Sequence, residues 1–274
     1  MLNLKSLRKY FHLKPFFTSV DVEGAEIYFW GRCSVQNYNS LKKRHRKIRD
    51  NLSDDFNLRV HRALSWLEQG ERLEKASGKV VDLDSVFIFH WIAFNAAFAQ
   101  EKLEGGPLTN SDREEIYRFL KTLVRVDEEG CLYAMLWQDF SKYIRVLTDN
   151  QFLSEWFWRY QAGKIGKAEL NKRLALDKKA LMSAMGDMNT PRVLSIVIRS
   201  LRLLRNQIFH GSSTFGSRVN REQLELGSQF MKRFVPLVLQ VMLENPNTDW
   251  GPVKFPVVNN FKLGRLKSSG GARC

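Results

Sequence analysis

The amino-acid sequence predicts an all-α protein, an up-and-down bundle of helices with basic, partly irregular extensions at both ends. Apolar residues recur at helical spacing in one segment after another from Ser53 onward. Hydrophobic residues make up 44% of the 274 residues and aromatic residues 12%, which is enough for a substantial core. We divide the chain into a basic N-terminal extension at 1–52, an all-helical domain at 53–245, and a proline-containing arm with a mobile basic tail at 246–274.

The N-terminal extension is poorly patterned and contains short extended pieces such as AEIYFWGRC. The first helix begins at Ser53 or Asp54, since either side chain can accept the hydrogen bond of an N-cap. A second helix, deeply buried, is expected in DLDSVFIFHWIAFNAAFAQEK and begins near Asp84.

Three more segments have helical patterns. In SDREEIYRFLKTLV, Ser111 is the expected N-cap and Glu114 completes a capping box. In CLYAMLWQDFSKYIRVL, one continuous helical stripe is expected. Its members are Leu132, Leu136, Phe140, Tyr143, Ile144 and Leu147. The segment 154–185 is helical with a break near Gly163 and Gly166.

The next helix is bracketed by three residues. Thr190 is a good N-cap, Pro191 sits at the first helical position, where proline is tolerated, and Gly211 is the usual residue after a helix end. The helix is therefore expected from Pro191 to His210.

The last predicted helix starts at Asn220, where Gln223 completes a capping-box pattern. It ends at Glu244, with a bend at Pro236. The following NPNTDWGPVKFPVV contains three prolines and should be extended.

The charge of the chain indicates the class of its partner. Lysine and arginine total 43 against 29 acidic residues, a net charge of +14, which favours a polyanion and most often nucleic acid. The densest basic block is KKRHRKIR, from Lys42 to Arg49. Its candidate polyanion contacts are Lys42, Lys43, Arg44, Arg46 and Lys47. A solvated helix face or a mobile arm is the alternative interpretation.

Several classes of protein and of site are not indicated. No apolar run approaches the roughly 18–20 residues of a membrane span, and the N-terminus lacks the apolar stretch and cleavage site of a secretory signal. We therefore expect a soluble, cytoplasmic protein without a membrane partner. The three cysteines and five histidines are scattered, with no C-x-x-C, H-x-x-x-H or H-E-x-x-H pattern. Neither a metal site nor a cofactor is expected.

A helical wheel of the helix that ends at His210 has one narrow polar stripe. With Arg199 at 0°, Arg202 falls at about 300° and Asn206 at about 340°. His210 falls at about 20°, and Arg205 lies beside the stripe at about 240°. The opposite, apolar side consists of Val193, Val197, Leu201, Leu204 and Ile208. The stripe contains no acid, so an anion bound between the arginines would relieve their repulsion.

Apolar residues border the polar stripe on both sides. Ile198 and Phe209 lie on one side and Leu203 on the other. A solvated surface would not need them, so we expect the stripe to face a partner helix or a second subunit. The alternative is a plain helix end, because a histidine in the last turn interacts favourably with the helix dipole and glycine is a normal stop.

The stretch RNQIFHG resembles the signature of HEPN domains of the Apea-like group, in which four to six residues separate an arginine, often followed by a polar residue, from a histidine. Arg205, Asn206 and His210 occupy these places. FIFHWIAFNAAFA resembles an early helix of this group, and the chain from His210 to Gly251 resembles the continuation after the signature. The similarity covers residues 82–250, and the family's domain is a small all-α bundle.

This resemblance implies a function. Many HEPN proteins are metal-independent endoribonucleases in which two copies of the signature meet across a dimer interface, and they often act as toxins or in defence against phage. The implied partners are RNA, a second copy of the chain, and a cognate antitoxin or regulatory protein. Other members are catalytically inactive and bind nucleotides, RNA or proteins, which is the alternative function.

The residues suit this chemistry. RNA carries its own nucleophile, the 2′-OH, so the protein has to transfer protons and stabilise a doubly charged phosphorane. His210 suits proton transfer near neutral pH, and Arg205 suits phosphate. Asn206 would position these groups, while Arg199 and Arg202 would guide the RNA backbone. Arg205 and His210 lie about 140° apart on the helix, so a two-fold pairing could supply both groups to one phosphate.

Overall fold

The structure is a computed structural model of the 274-residue chain. It describes residues 17–20, 26–29, 34–76, 82–100, 108–218 and 220–256. For 17–20, 26–29 and 108–112 it describes the backbone alone. The predictions for the basic tail beyond residue 256 and for residues 1–16 lie outside the described residues.

The described part of the chain contains ten α-helices and one β-hairpin, so the prediction of an all-α bundle is confirmed. In the hairpin, β1 (Phe17–Val20) pairs antiparallel with β2 (Glu26–Phe29), and β2 lies in the piece AEIYFWGRC. The helices are α1 Tyr38–Ile48, α2 Asp54–Ala76, α3 Leu83–Phe98, α4 Leu108–Val126, α5 Cys131–Ala134, α6 Ile144–Thr148, α7 Glu155–Gln161, α8 Lys167–Gly186, α9 Thr190–Phe209 and α10 Arg221–Glu244. Among the described helices, none combines the length and the hydropathy that crossing a membrane requires.

Helix α3 lies at the centre of the core. It packs against α2, α10 and α9, and it is apolar on nearly all sides. The rings of Phe94 and Phe98 contact Phe119 of α4, with centroids 6.2 and 6.1 Å away. The Phe94 ring also contacts Phe234 of α10 at 5.4 Å and Trp91 of its own helix at 6.0 Å. Burial of each such side chain stabilises the fold by about 1.5–3 kcal/mol.

Several predicted helix boundaries are confirmed. Helix α2 begins at Asp54, directly after Ser53, whose Oγ accepts a backbone hydrogen bond of 3.3 Å. Helix α3 begins one residue before the predicted start. The turn between α7 and α8 contains Gly163 and Gly166. Helix α10 ends at Glu244, as predicted.

Two predicted N-caps are wrong. Helix α4 begins at Leu108, one turn before Ser111, so Ser111 lies inside the helix. The N-cap of α9 is Asn189, whose side chain accepts a backbone N–H of the first turn at 3.1 Å. Thr190 is instead buried, and its Oγ1 accepts the indole N–H of Trp137 at 3.0 Å. A side chain engaged in tertiary packing is not available as a cap.

The capping box predicted for α10 is not formed. Asn220 has a left-handed backbone with a φ of 56° and makes no side-chain capping bond to α10. Its side-chain amide donates to Gln207 Oε1 of α9 at 2.9 Å. The asparagine therefore links two helices across the loop instead of closing one of them.

The continuous helix predicted from Cys131 is interrupted. Helix α5 passes into a π-helical turn at Met135–Asp139, and α6 begins only at Ile144. Phe140, between them, packs edge-on against Phe230 of α10 with a centroid distance of 5.3 Å. Most of the predicted stripe is still buried, because the break lets these side chains reach the core: Leu132, Leu136, Phe140, Ile144 and Leu147.

Helix α1 lies within the predicted N-terminal extension and packs on α2 and α10. The side chain of Asn37 caps it with a hydrogen bond of 3.1 Å. Tyr38, Leu41 and His45 recur at helical spacing, and all three are buried. The helical bundle therefore begins at Tyr38 rather than at residue 53.

The arm that follows α10 packs back on the bundle. Trp250 is buried, and its ring centroid lies 5.7 Å from that of Phe119. Val253 pairs with Gln100 in an isolated antiparallel bridge. Up to residue 256, this segment is part of the fold.

A single buried arginine, Arg59 of α2, holds the arm against the end of α3. Its Nη1 donates to the carbonyls of Ala97 and Ala99 at 2.8 and 2.9 Å. Its Nη2 donates to the carbonyls of Gly251 and Pro252 at 3.0 and 3.1 Å. Burial lowers the pKa of Arg59 to about 10, so the guanidinium keeps its charge at neutral pH.

We expect Arg59→Ala to lower the free energy of unfolding by about 3–5 kcal/mol, because it leaves buried carbonyls without their donor and opens a cavity. Arg62→Ala is the matched control, since Arg62 of the same helix donates to carbonyls of the same arm from a more exposed position. Its loss should cost about 1 kcal/mol or less. Urea denaturation of the wild type and both variants measures the difference, and equal losses would contradict the role of Arg59.

Candidate functional site

Helix α9 carries the predicted catalytic residues, and His210 is its C-cap. Asn189 and Pro191 fix its first turn. One side of the helix is buried against α4, α3 and α10. Its fully buried members are Val193, Leu194, Val197, Ile198 and Leu201. The apolar side predicted from the wheel is therefore present, and it fixes the direction of the polar side.

The buried side of α9 is wider than predicted. Ile198, at about 260° on the same wheel, is completely buried. The expectation that Ile198 faces a second subunit is therefore wrong, because α9 packs into the core further around its circumference than the apolar stripe indicates. Leu203 is half-buried and lines a cleft within the same chain. Phe209 is 64% exposed.

Arg205 lies at the edge of this buried side. Its guanidinium carbon is 5.5 Å from the ring centroid of Trp91 and 5.6 Å from that of Phe209, both within the range of cation–π contacts. Its Nε is buried and has no hydrogen-bond partner. Burial lowers the pKa of Arg205, and the charge of Arg202 acts in the same direction. A partly desolvated guanidinium attracts an anion more strongly than one in water does.

His210 ends α9 in an exposed position. Its backbone N–H donates to the carbonyl of Asn206 at 3.0 Å, and Gly211 follows with a φ of 67°. The imidazole lies edge-on to the Phe209 ring with centroids 5.7 Å apart, and its nitrogens make no hydrogen bond to another described residue. The helix stop expected from the sequence is present, and it leaves the imidazole open to solvent.

A cleft of about 890 Å³ lies between α9 and the segment from Thr148 to Leu181. Arg199, Arg202 and Asn206 line it, so the structure brings these three predicted residues together. Arg205 and His210 do not line it. The polar stripe therefore divides into a part inside the cleft and a part beyond it, at the end of the helix.

Salt bridges partly balance the charge of the cleft. Six cationic and three acidic side chains line it, a surplus of three positive charges. Arg199 pairs with Asp177 of α8 at 3.2 Å, and Arg113 pairs with Glu155. The polar stripe of α9 contains no acidic residue, and the carboxylate that pairs with it comes from Asp177 of α8. Asp177 Oδ2 also accepts the indole N–H of Trp156 at 3.2 Å, which fixes this carboxylate at the cleft wall.

Three further cations of the cleft are exposed. The guanidinium of Arg159 lies over the ring of Trp156 at 5.3 Å from its centroid, and that of Arg173, which does not line the cleft, lies over the same ring at 4.6 Å. Arg159 lines the cleft together with Lys164 and Lys178, and all three are exposed. These side chains come from α7, α8 and the turn between them, so they lie across the cleft from α9.

The basic block proposed to contact RNA lies on α1, and only part of it is free of contacts within the fold. Lys42 lies over the ring of Tyr38 at 4.8 Å, and Arg44 pairs with Glu244 at 2.9 Å. Lys43, Arg46 and Lys47 are exposed. Their spacing of three and four residues puts them on one face of the helix. The face that these three side chains form is exposed, which fits both a contact with a polyanion and a solvated helix face.

Several residues of the site were not predicted from sequence. Trp91 holds Arg205, Asp177 pairs with Arg199, and Trp156 holds Arg159. The first two contacts join residues far apart in the chain, so spacing alone gave no signal for them, whereas Trp156 and Arg159 lie three residues apart on α7. The one available signal was the aromatic and cationic composition of SEWFWRYQAGKIGK.

The geometry permits phosphate binding and proton transfer close to one another. Cations line the cleft, a half-buried guanidinium lies beside it, and an exposed imidazole ends the same helix. Within the described residues, no three side chains of histidine, cysteine, aspartate or glutamate lie close enough together to bind one metal ion. Comparison of the chain with protein-family models, with curated proteins and with solved structures finds no match.

Proposed function

We propose that this protein is a metal-independent endoribonuclease of the HEPN type, acting as a toxin or as an effector of phage defence. The observation that supports it most is the state of Arg205. Its guanidinium is half-buried between Trp91 and Phe209, and one of its N–H groups is buried without a partner. An arginine needed only for solubility would not be desolvated in this way, whereas one that binds a phosphorane benefits from it.

The reaction would use the 2′-OH of the RNA as nucleophile. This oxygen attacks the adjacent phosphorus, the bond to the 5′-oxygen breaks, and the products are a 2′,3′-cyclic phosphate and a 5′-hydroxyl. His210, exposed at the end of α9, would transfer the proton. Arg205 would stabilise the doubly charged phosphorane, and Asn206 would orient the phosphate or the imidazole.

The proposed site is composite and formed by two copies of the chain. Arg205 is directed toward α3 through its contact with Trp91, whereas His210 is exposed beyond the helix end. Two apolar side chains close to His210 in sequence are also exposed: Phe209 at 64% and Phe215 at 77%. A two-fold contact through this end of α9 would bury both rings and bring the signature of each copy to one phosphate. A cognate antitoxin or regulatory protein would cover the same surface.

The second candidate function is a catalytically inactive HEPN module that binds RNA, nucleotides or a protein. The packing of Arg205 on Trp91 also favours it, since a cation–π contact can serve stability alone. Both candidates share the fold and the basic surface. RNA cleavage by the purified protein distinguishes the two candidate functions.

We expect purified protein to cut single-stranded RNA in the presence of EDTA and His210→Ala to abolish the cutting. The fold should survive, since replacing an exposed C-cap histidine changes stability by about 1 kcal/mol. His61→Ala, at an exposed histidine of α2, is the matched control and should cut normally. Gel analysis of end-labelled RNA measures the result. Wild-type protein that cuts no RNA with or without added metal would favour the binding module.

We expect the wild type to sediment as a dimer at micromolar concentration and Phe215→Asp to weaken the dimer at least about tenfold, because it places a carboxylate in an apolar contact. Phe255→Asp is the control, an exposed phenylalanine on the C-terminal arm at 73% exposure. Sedimentation velocity distinguishes the variants. A wild type that stays monomeric with and without RNA would contradict the composite site.

We expect the exposed face of α1 to add affinity for RNA without sequence preference. Replacing Lys43, Arg46 and Lys47 by Gln should reduce the slope of log affinity against log salt by about 2, since each phosphate contact to a single strand contributes about 0.7. The matched control replaces exposed cations elsewhere: Lys121, Arg125 and Lys142. Fluorescence anisotropy at several salt concentrations measures both slopes. A slope unchanged from wild type would assign this face to solvent or to a protein partner.

A further inference from the structure

We propose that the cleft between α9 and the segment 148–181 binds an unpaired RNA strand and leads it to His210. The choice of RNA rests on the proposed function. The cleft itself rests on separate observations, because its lining includes neither Arg205 nor His210. It thus adds a substrate-binding surface within one copy of the chain to a reaction site proposed between two copies.

The polar stripe of α9 forms one wall of this path. Arg199, Arg202 and Asn206 line the cleft, and His210 lies on the same side of the helix one turn further on. At about 1.5 Å per residue, Arg199 and His210 are about 16 Å apart along the helix axis. Phosphates of a stacked strand are about 3.4 Å apart along its axis, so about five nucleotides span this distance.

The opposite wall supplies cations that the fold does not neutralise. Arg159, Lys164 and Lys178 are exposed, and none of them forms an ion pair with another described residue. Of the three acids that line the cleft, Glu155 and Asp177 are paired with arginines inside it, so their repulsion of a phosphate is reduced. Asp149 forms no ion pair with another described residue, and the three exposed cations outnumber it. A strand lying along α9 would therefore meet positive charge from both walls.

The size of the cleft selects a single strand. A volume of about 890 Å³ is within the range of pockets that hold one drug-sized ligand. It accommodates a few unpaired nucleotides but not two strands with their paired bases. The side-chain amides of Asn150, Gln151 and Asn206 line the same space and can bond to exposed base edges, which only an unpaired strand offers freely.

The test measures binding to full-length His210→Ala protein, which does not cut its ligand if the proposed function holds. One variant replaces the cleft cations Arg159, Lys164 and Lys178 by Gln. The matched control replaces three exposed lysines of α8 that do not line the cleft, Lys167, Lys172 and Lys179, by Gln. Both variants remove three positive charges from exposed positions, so the net charge changes equally and the core is untouched. Fluorescence anisotropy measures binding of a short labelled RNA, offered as a single strand and as a blunt duplex.

We expect the cleft variant to bind the single strand about 10- to 100-fold more weakly at 0.15 M salt, with a salt slope lower by about 2. The control variant should stay within about twofold of its parent, and the duplex should bind more weakly than the single strand. Equal losses in both variants, or equal affinity for the duplex, would overturn the proposal. Displacement of the strand by micromolar AMP would also overturn it and indicate a pocket for a small nucleotide.

These outcomes are independent of catalysis. If wild-type protein cuts no RNA but the cleft variant alone loses affinity for the single strand, the proposed enzyme function fails and the binding path stands. If wild-type protein cuts RNA and the cleft variant binds it normally, the path fails and the enzyme function stands.

Discussion

Helix α9 has to bury one side against α3, α4 and α10 while keeping cationic side chains on the other side, and the rest of the site depends on this requirement. The buried arc extends to Ile198, which leaves Arg205 at its edge. A guanidinium there loses part of its hydration, and this desolvation lowers its pKa. The faces of Trp91 and Phe209 offset the loss through cation–π contacts worth about 0.5–2 kcal/mol each.

The polar side of α9 is enclosed for a related reason. Arg199 and Arg202 lie three residues apart on one helix, where like charges repel. Asp177 of α8 supplies a carboxylate to Arg199, and Trp156 fixes that carboxylate by a hydrogen bond. Helix α8 packs on α9, and a cleft remains between α9 and the segment 148–181, with cations on both of its walls.

The features that could be predicted from the sequence are those that depend on residues close together in the chain. The glycine break between α7 and α8, the glycine stop after α9 and the shared surface of Arg199, Arg202 and Asn206 follow from local chemistry and helical periodicity. The features that depend on contacts between residues distant in the chain could not be predicted. The charge of KKRHRKIR obscured the buried spacing of α1, and Arg59 gives no sign in the sequence that four distant carbonyls surround it. The burial of Ile198 depends on how the neighbouring helices pack against α9, and a helical wheel of α9 alone gives no information on that packing.

The part of the polar stripe inside the cleft and the part at the end of α9 differ in whether one copy of the chain is sufficient to form a site. The half inside the cleft is complete in one chain, because both of its walls come from the same bundle. If the proposed function holds, the half at the helix end is incomplete in one copy, because Arg205 contacts Trp91 of α3 while His210 is exposed beyond the last turn. Under the proposed function, binding and cleavage would then respond differently to dilution. A monomer would retain its affinity for a single strand and lose only the ability to cut it, which makes dimerisation a means of control over the reaction.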